Sequence, residues 1–457
     1  MKRILVMTIL ILSCLLYCCP LTGYAASNYN QYKVPSKERV SELMKEYDVH
    51  SCSITYSINN QTVFSGGFGD EDILATNKVS DQSVFEAGSN GKMIAAYICV
   101  KLANQGKINL DDKITKYLNK EWVTNDPRFK EITVAQLLSH SAGFSPSYEF
   151  GMDKNIYFKP GSQFSYSGVG YMYLQKIIQN VTSLSFNEAA NKYAFRPLHM
   201  HKSTFSTINT VTPFIKSSSL IVYTLAAFVI IMLIILLLGF FIGALTKFRY
   251  FSKRRIFYIS IICAAVLNVV FISILISKLL IIFAIFIIIA ILILLMTRNS
   301  GKWNYIAFSA YTATVLILGI VLPISIPTGS DIIPKEPNCA YSLKSTSKDM
   351  SLFSNELLNR CQDRDSMYQR MFLPAINIDD NNSWGLGVGI EKEKETTTYW
   401  DSGINPGFQS LVVIDPHKNA SAVVLTNSDN GLPFSKEVIR MLLNVNGTWE
   451  IRRAKLK

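Results

Sequence analysis

The chain has 457 residues, a formal net charge of +12 and 49% apolar residues, with a mean hydropathy of +0.22. That length allows two or three ordinary domains, and that hydropathy argues against a wholly soluble chain, so membrane segments have to be located first. The excess of Lys and Arg raises nucleic-acid binding as a class, which the placement of the charges then decides.

Residues 1–26 read MKRILVMTILILSCLLYCCPLTGYAA: Lys2 and Arg3, an apolar run, then small residues up to Ala25 and Ala26. This is the pattern of a secretory signal peptide, with an uncleaved anchor as the alternative. SKERVSELMKEY, within 27–48, suits a short helix. CSITYSI and TVFSGGFG flank Asn59-Asn60, two β-rich runs around a turn pair, and predict a hairpin. An apolar run at helical spacing begins just after Ser89. GKINLDDKITKYL makes a break and a short amphipathic piece, with Asp111 and Asp112 in a solvated turn. Helices are expected over 132–144, ending near Gly143, and over 171–181.

Between about 219 and 326 the composition changes. Four apolar stretches, 219–245, 256–277, 279–296 and 304–326, contain no Asp, Glu, Lys, Arg or His, and each is near the ~20 residues that span a bilayer. Without ionisable groups inside, they read as an anchor or docking bundle and not as a transporter. The loop 246–255 has five basic residues and no acid, and 297–303 has two. Positive loops stay in the cytoplasm, so both flanks of the bundle are expected outside. Seven of the twelve excess positive charges lie in those loops, two in the leader and one at Lys278, which leaves +2 for everything else. The high charge follows topology and gives no ground for nucleic acid. An even number of spans returns the chain to the side it left. The expected organisation is 1–26 signal peptide, 27–218 first part of an outer domain, 219–326 four transmembrane helices, and 327–457 its second part.

Beyond the bundle SKDMSLFSNELL reads as a helix, followed by SWGLGVGI, TTTYWDSG, QSLVVIDP and ASAVVLTN as strands and SKEVIRMLLNV as a closing helix. Strands at both ends with helices between predict an α+β domain whose sheet is shared by the first and last segments. Cys52, Cys99, Cys339 and Cys361 fall in this domain; they pair in any of three ways or remain free thiols.

Ser89 and Lys92 stand three apart where the helix opens, so they share a face. A Ser hydroxyl becomes a nucleophile when a base takes its proton, and a Lys with a lowered pKa is such a base. A helix N-terminus adds backbone N–H groups for an oxyanion. The plain alternative is a Ser N-cap beside an unrelated Lys.

QSVFEAGSNGKMIAAYICVKLANQGKINLDDKITKYL, ITVAQLLSHSAGF, PGSQFSYSGVGYMYLQKIIQNVT, FRPLHMHKSTF, WGLGVGI and DSGINPGFQSLVVIDP, in that order, resemble the class C β-lactamase-related family of penicillin-recognising serine hydrolases. The likeness runs over roughly 34–207 and 340–445. It implies a β-lactamase/transpeptidase-like α+β fold, an antiparallel sheet flanked by helices plus a helical subdomain, here interrupted by the four-helix insertion. It implies Ser89 as the acylated nucleophile, Lys92 as its base and Tyr166 as the proton shuttle to the leaving group. The family's third motif aligns with Asp401, Ser402 and Gly403, and the N–H groups of Ser89 and Ile404 would form the oxyanion hole.

Two positions depart from the family. Gly168 stands where members often have the Asn of Tyr-x-Asn, and Asp401 stands where β-lactamases and carboxypeptidases usually place Lys or His. An Asp there repels a carboxylate and can pair with an amine or with Lys92. The expected activity is therefore hydrolysis of a neutral or amine-bearing amide, peptide or ester, with poor β-lactamase action. The expected substrate is a small molecule or peptide, such as a cell-wall or exported peptide, at the outer face of the membrane lipid. The alternative is a non-catalytic membrane sensor or binding protein, although the cytoplasmic loops of about ten and seven residues hold no effector domain. His140 is expected to be structural. His199 and His201 are two apart, poor spacing for one metal, and no H-E-x-x-H is present. Neither a metal nor another cofactor is expected.

Overall fold

A computed structural model describes residues 34–71, 77–120, 123–145, 155–206, 337–363, 366–394 and 396–451. The leader and the four apolar stretches of 219–326 lie outside these residues. Among the described residues no helix is long and apolar enough to cross a membrane.

Helix α1 (Lys37–Glu46) starts at Ser36, whose side chain accepts from the Arg39 N–H. The hairpin follows as β1 (Cys52–Ile58) and β2 (Gln61–Phe68). Asn59 and Asn60 have φ of 50° and 61°, the left-handed pair that a two-residue I′ turn requires and Asn tolerates. Strand β3 (Phe85–Gly88) leads through Ser89 into α2 (Gly91–Asn104), which is buried on nearly every side. Helices α3 (Val134–Leu138), α4 (Gly168–Thr182) and α5 (Phe186–Ala190) and strand β4 (Thr204–Phe205) complete the first half. The second half supplies β5 (Leu343–Ser345), α6 (Ser347–Gln362), β6 (Ile376–Asn377), β7 (Asn382–Trp384), β8 (Gly389–Glu393), β9 (Thr396–Asn405), β10 (Phe408–Asp415), β11 (Ala420–Thr426) and α7 (Gly431–Leu443).

Eight strands form one antiparallel sheet in the order β2-β1-β11-β10-β9-β8-β7-β6. The first strand and the last are central neighbours, with Cys52 opposite Thr426. The expected sharing of one sheet by the two chain ends is therefore found. On one face Val40, Leu43, Phe434 and Val438 of α1 and α7 cover Ile54, Val424 and Trp400. On the other, α6 packs against β10 and β11, and α2 and α4 belong to the same core as Val412, Ile414, Val423 and Leu425. Each such large apolar side chain contributes roughly 1.5–3 kcal/mol on burial.

A second sheet has three strands, β3-β5-β4. Its central strand comes from beyond the apolar block and its two outer strands from before it. Phe85 lies opposite Ser345, and Phe205 opposite Leu343.

One helix is shorter than its sequence predicts. α3 begins in a capping box, with Thr133 and Gln136 exchanging backbone-to-side-chain hydrogen bonds, and stops at Leu138 instead of near Gly143. His140 takes a left-handed φ of 56°, which no helix continues; there its Nδ1 accepts the Ser167 N–H at 2.9 Å. The described cysteines Cys52, Cys99, Cys339 and Cys361 are all free thiols. Asp111 and Asp112 sit in the expected turn, but paired: Asp111 holds Arg370 through both carboxylate oxygens, and Asp112 holds Lys116 and Tyr117.

Candidate active site

Ser89 lies in the turn between β3 and α2. Asn90, not Ser89, is the N-cap of α2, and no side chain caps that helix. The N-cap explanation for Ser89 therefore does not apply. Its hydroxyl instead meets the Lys92 amine, with Nζ donating to Oγ at 2.9 Å. The same amine donates to the Ala340 carbonyl at 2.6 Å, and Ser89 Oγ donates to that carbonyl at 3.2 Å. Ser89 remains partly exposed, while Lys92 is 3% exposed.

Tyr166 closes one side of the amine. Lys92 Nζ stands 4.9 Å from the centre of its ring, within cation–π range. The ring is backed by His140, centroid to centroid 4.2 Å. Burial and the positive charge of Lys92 hold the His140 imidazole well below its ordinary pKa, so it is neutral. Ser167 caps α4, its Oγ accepting from Gly170 N at 3.0 Å and donating to Ser145 O at 2.6 Å. Gly168, the first residue of that helix, is buried.

Asp401, Ser402, Gly403 and Ile404 lie on β9. Strand β8 accompanies β9 only as far as Trp400, whereas β10 pairs along its other side to Asn405. The outer edge of 401–405 is thus free of β8 and meets the Ser89 turn. An added Cβ at Gly88 would lie 3.3 Å from the Ile404 nitrogen, and one at Gly403 only 2.1 Å from the Ala87 carbonyl oxygen. Glycine at 403 is what lets β9 approach β3 so closely. Ile404 itself is 54% exposed at the rim.

Asp401 is buried, at 1% exposure, and Ser402 at 3%. Asp401 Oδ1 accepts the Ser402 N–H at 2.9 Å, and Oδ2 is buried with no hydrogen-bond partner. Burial pushes the Lys92 ammonium down and the Asp401 carboxyl up, each opposed by the opposite charge of the other. Burial penalises both charged forms, and mutual attraction returns part of that cost.

Ser89, Lys92, Tyr166 and the 401–404 stretch of β9 therefore converge, and two further features join them. One is the Ala340 carbonyl, a main-chain group with no side-chain signature. The other is His140, whose ring packs at a tilt against Tyr166. A crevice of 370 Å³ is lined by Gln136, Ser139, Ser141, Arg370 and Leu373; none of Ser89, Lys92, Tyr166 or Asp401 lines it. Among the described residues no group of three or more His, Cys, Asp or Glu is arranged to hold a metal.

Chemically, a hydroxyl within hydrogen-bond reach of a desolvated amine, next to two strand and turn N–H groups, suits acyl transfer. Residues 37–209 match the family model described as Beta-lactamase. Protein flp of Staphylococcus aureus (strain N315) is 27% identical over 196 residues, 38% of this chain and 39% of that protein. The chain thus matches about two fifths of the length of that curated relative. Among solved structures, the octameric penicillin-binding protein homologue from Pyrococcus abyssi superposes with a TM-score of 0.54 at 18% identity, covering 89% of this chain and 76% of that one. A D-stereospecific amidohydrolase from Streptomyces sp. gives 0.53 at 15%, covering 89% and 98%. At such identities these structures speak for the fold.

Proposed function

Because the chain is β-lactamase/transpeptidase-like in its family match and its fold, we propose that it is a membrane-tethered serine hydrolase acting on the extracytoplasmic side. It cleaves an amide, peptide or ester through an acyl-enzyme on Ser89. The observation that carries this reading is the 2.9 Å contact between Lys92 Nζ and Ser89 Oγ at the head of a buried helix.

In this reading neutral Lys92 takes the Oγ proton as Oγ bonds to the substrate carbonyl carbon. The carbonyl π pair moves onto its oxygen, which the N–H groups of Ser89 and Ile404 hold. The C–N or C–O bond then breaks with its electron pair on the leaving group. That group takes a proton from the Tyr166 phenol, which Lys92 re-supplies. Water attacks the acyl carbon by the reverse proton path and frees Ser89. Asp401 lies where a substrate carboxylate would need a cation, and Gly168 offers no side chain to a substrate amide. Carboxylate-bearing β-lactams and D-Ala-D-Ala peptides are accordingly poor substrates, and neutral or amine-bearing acyl compounds are good ones. Measurable nitrocefin turnover that disappears in Ser89→Ala would contradict that specificity.

The test of the activity is fluorophosphonate labelling of the full chain in membranes. Wild type is expected to label at Ser89, and Ser89→Ala and Lys92→Ala are not; a wild type that stays unlabelled removes the hydrolase reading. Tethering is tested by cysteines placed at 250 and 300, which an impermeant outside reagent should not reach. One observation favours a second reading, a non-catalytic membrane sensor or binding protein. Ser89 Oγ directs its own proton to the Ala340 carbonyl, a resting arrangement that suits a hydroxyl which does not react.

A further inference from the structure

The Ser89–Lys92 pair has a third partner from the far side of the apolar block. Ala340 stands 248 positions beyond Lys92, and its carbonyl accepts from both Nζ and Oγ. A carbonyl of this kind favours the ammonium form of the lysine and fixes where Oγ points, so what orients the carbonyl matters.

A trans peptide places the C=O of one residue and the N–H of the next in a single plane, pointing opposite ways. The Ala340 carbonyl therefore turns with the Tyr341 N–H. That N–H donates to Asn338 Oδ1 at 3.1 Å, and the Ala340 N–H donates to the same oxygen at 3.0 Å. Asn338 is 1% exposed. It is held in turn by Ser342, whose Oγ accepts from Asn338 N at 2.8 Å and donates to Asn338 O at 2.7 Å. The next residue is tied to α4, with Gln175 Oε1 accepting the Cys339 N–H at 2.8 Å. The Asn338 Nδ2 is buried with no hydrogen-bond partner, so only the oxygen of this amide is in use.

We propose that Asn338 is a positioning residue for the Ser89–Lys92 pair: its Oδ1 sets the plane of the Ala340–Tyr341 peptide and so aims the Ala340 carbonyl at both Nζ and Oγ. The assignment rests on the hydrolase reading for its catalytic meaning. Other groups that face Lys92, namely Asp401, Cys339, Tyr166 and His140, are left untouched by the substitutions below.

The experiment is the rate of fluorophosphonate labelling of Ser89 against pH, in the full chain in membranes, for wild type, Asn338→Ala and Asn338→Asp. Loss of the oriented carbonyl lets Oγ wander and removes an acceptor from the ammonium. Asn338→Ala should therefore lower the high-pH plateau by about tenfold to a hundredfold and move the inflection to lower pH. Asn338→Asp keeps the oxygen and should recover most of the plateau. A folded Asn338→Ala with the wild-type plateau and inflection overturns the assignment. So does a plateau that falls only in step with the loss of folded protein while the inflection stays. If Asn338→Ala does not fold, Ser342→Ala loosens the same turn by one hydroxyl and is read by the same two outcomes. If wild type itself does not label, the hydrolase reading fails. Trace acetylation of Lys92 by acetic anhydride against pH, read by mass spectrometry, then decides this assignment: an inflection unmoved by Asn338→Ala overturns it.

Discussion

Lys92 and Asp401 are an amine and a carboxyl buried together without a direct hydrogen bond. The amine is occupied by Ser89 and Ala340, while one oxygen of Asp401 holds the Ser402 N–H and the other holds nothing. Asp401 thus acts on the lysine through its field.

The sign of that field gives a pH prediction. Burial lowers the Lys92 pKa from 10.5 to about 8, and Asp401 works against that fall. If neutral Lys92 is the base, Ser89 labelling rises with pH through its inflection. Asp401→Asn removes the anion that favours the ammonium, so the inflection should move to lower pH with Ser89 still reactive. An inflection that stays in place, measured by the same labelling titration, would show that the carboxylate has no hold on the amine.

Tyr166 offers its ring and its hydroxyl to different tasks. Tyr166→Phe keeps the face presented to Lys92 and removes the phenol. Turnover of an amide should fall by about 10²–10⁴, the usual size of a proton-transfer contribution. Esters with good leaving groups, which need no proton delivered, should lose much less. Equal losses for both substrate types would deny the phenol a role at the leaving group.

Gly403→Ala is expected to disable the site. Its Cβ would fall 2.1 Å from the Ala87 carbonyl oxygen, so β9 must retreat from the strand that delivers Ser89. Overpacking of this kind costs about 1–3 kcal/mol, visible as a lower melting midpoint, and Ser89 labelling should be lost in the protein that stays folded. Retained labelling would mean that β9 need not approach so closely.

The described residues on either side of the apolar block are stitched together. Phe205 pairs with Leu343, and the Ser206 N–H donates to Ser342 O at 3.2 Å. Paired antiparallel residues are ~5 Å apart at Cα, so the two flanks of the block lie on neighbouring strands. Replacing 207–336 by a short Gly/Ser linker should leave a folded domain with unchanged Ser89 labelling, checked by its melting curve and labelling rate. An unfolded product would make the replaced segment part of the domain's own stability.

Much of this arrangement is legible in residues with a strong local signal. Asn59-Asn60 announces its turn, and the Ser89–Lys92 spacing announces a shared face. Other features depend on what tertiary structure adds. The alternation of Ser53, Thr55 and Ser57 along β1 suggests a wet face, yet all three are buried. α6 meets them with its own hydroxyls, Ser53 and Thr55 on Ser347 at 2.7 and 2.8 Å and Ser57 on Ser351 at 2.9 Å. The local pattern of 132–144 runs past the end of α3, because His140 takes a left-handed φ and accepts the long-range bond from Ser167. The depth of Asp401 is likewise a property of the assembled sheet and helices.

The three-stranded sheet also sets a schedule. The strand that leads into Ser89 pairs with β5, and the acceptor of the Ser89 hydroxyl lies 251 positions after it. A chain emerging from its N-terminus holds Ser89 long before it holds Ala340, and contacts between distant segments form slowly. Until the last third of the polypeptide arrives, the serine is part of an incomplete sheet. The surroundings of Ser89 are therefore complete only once the chain has come back on itself.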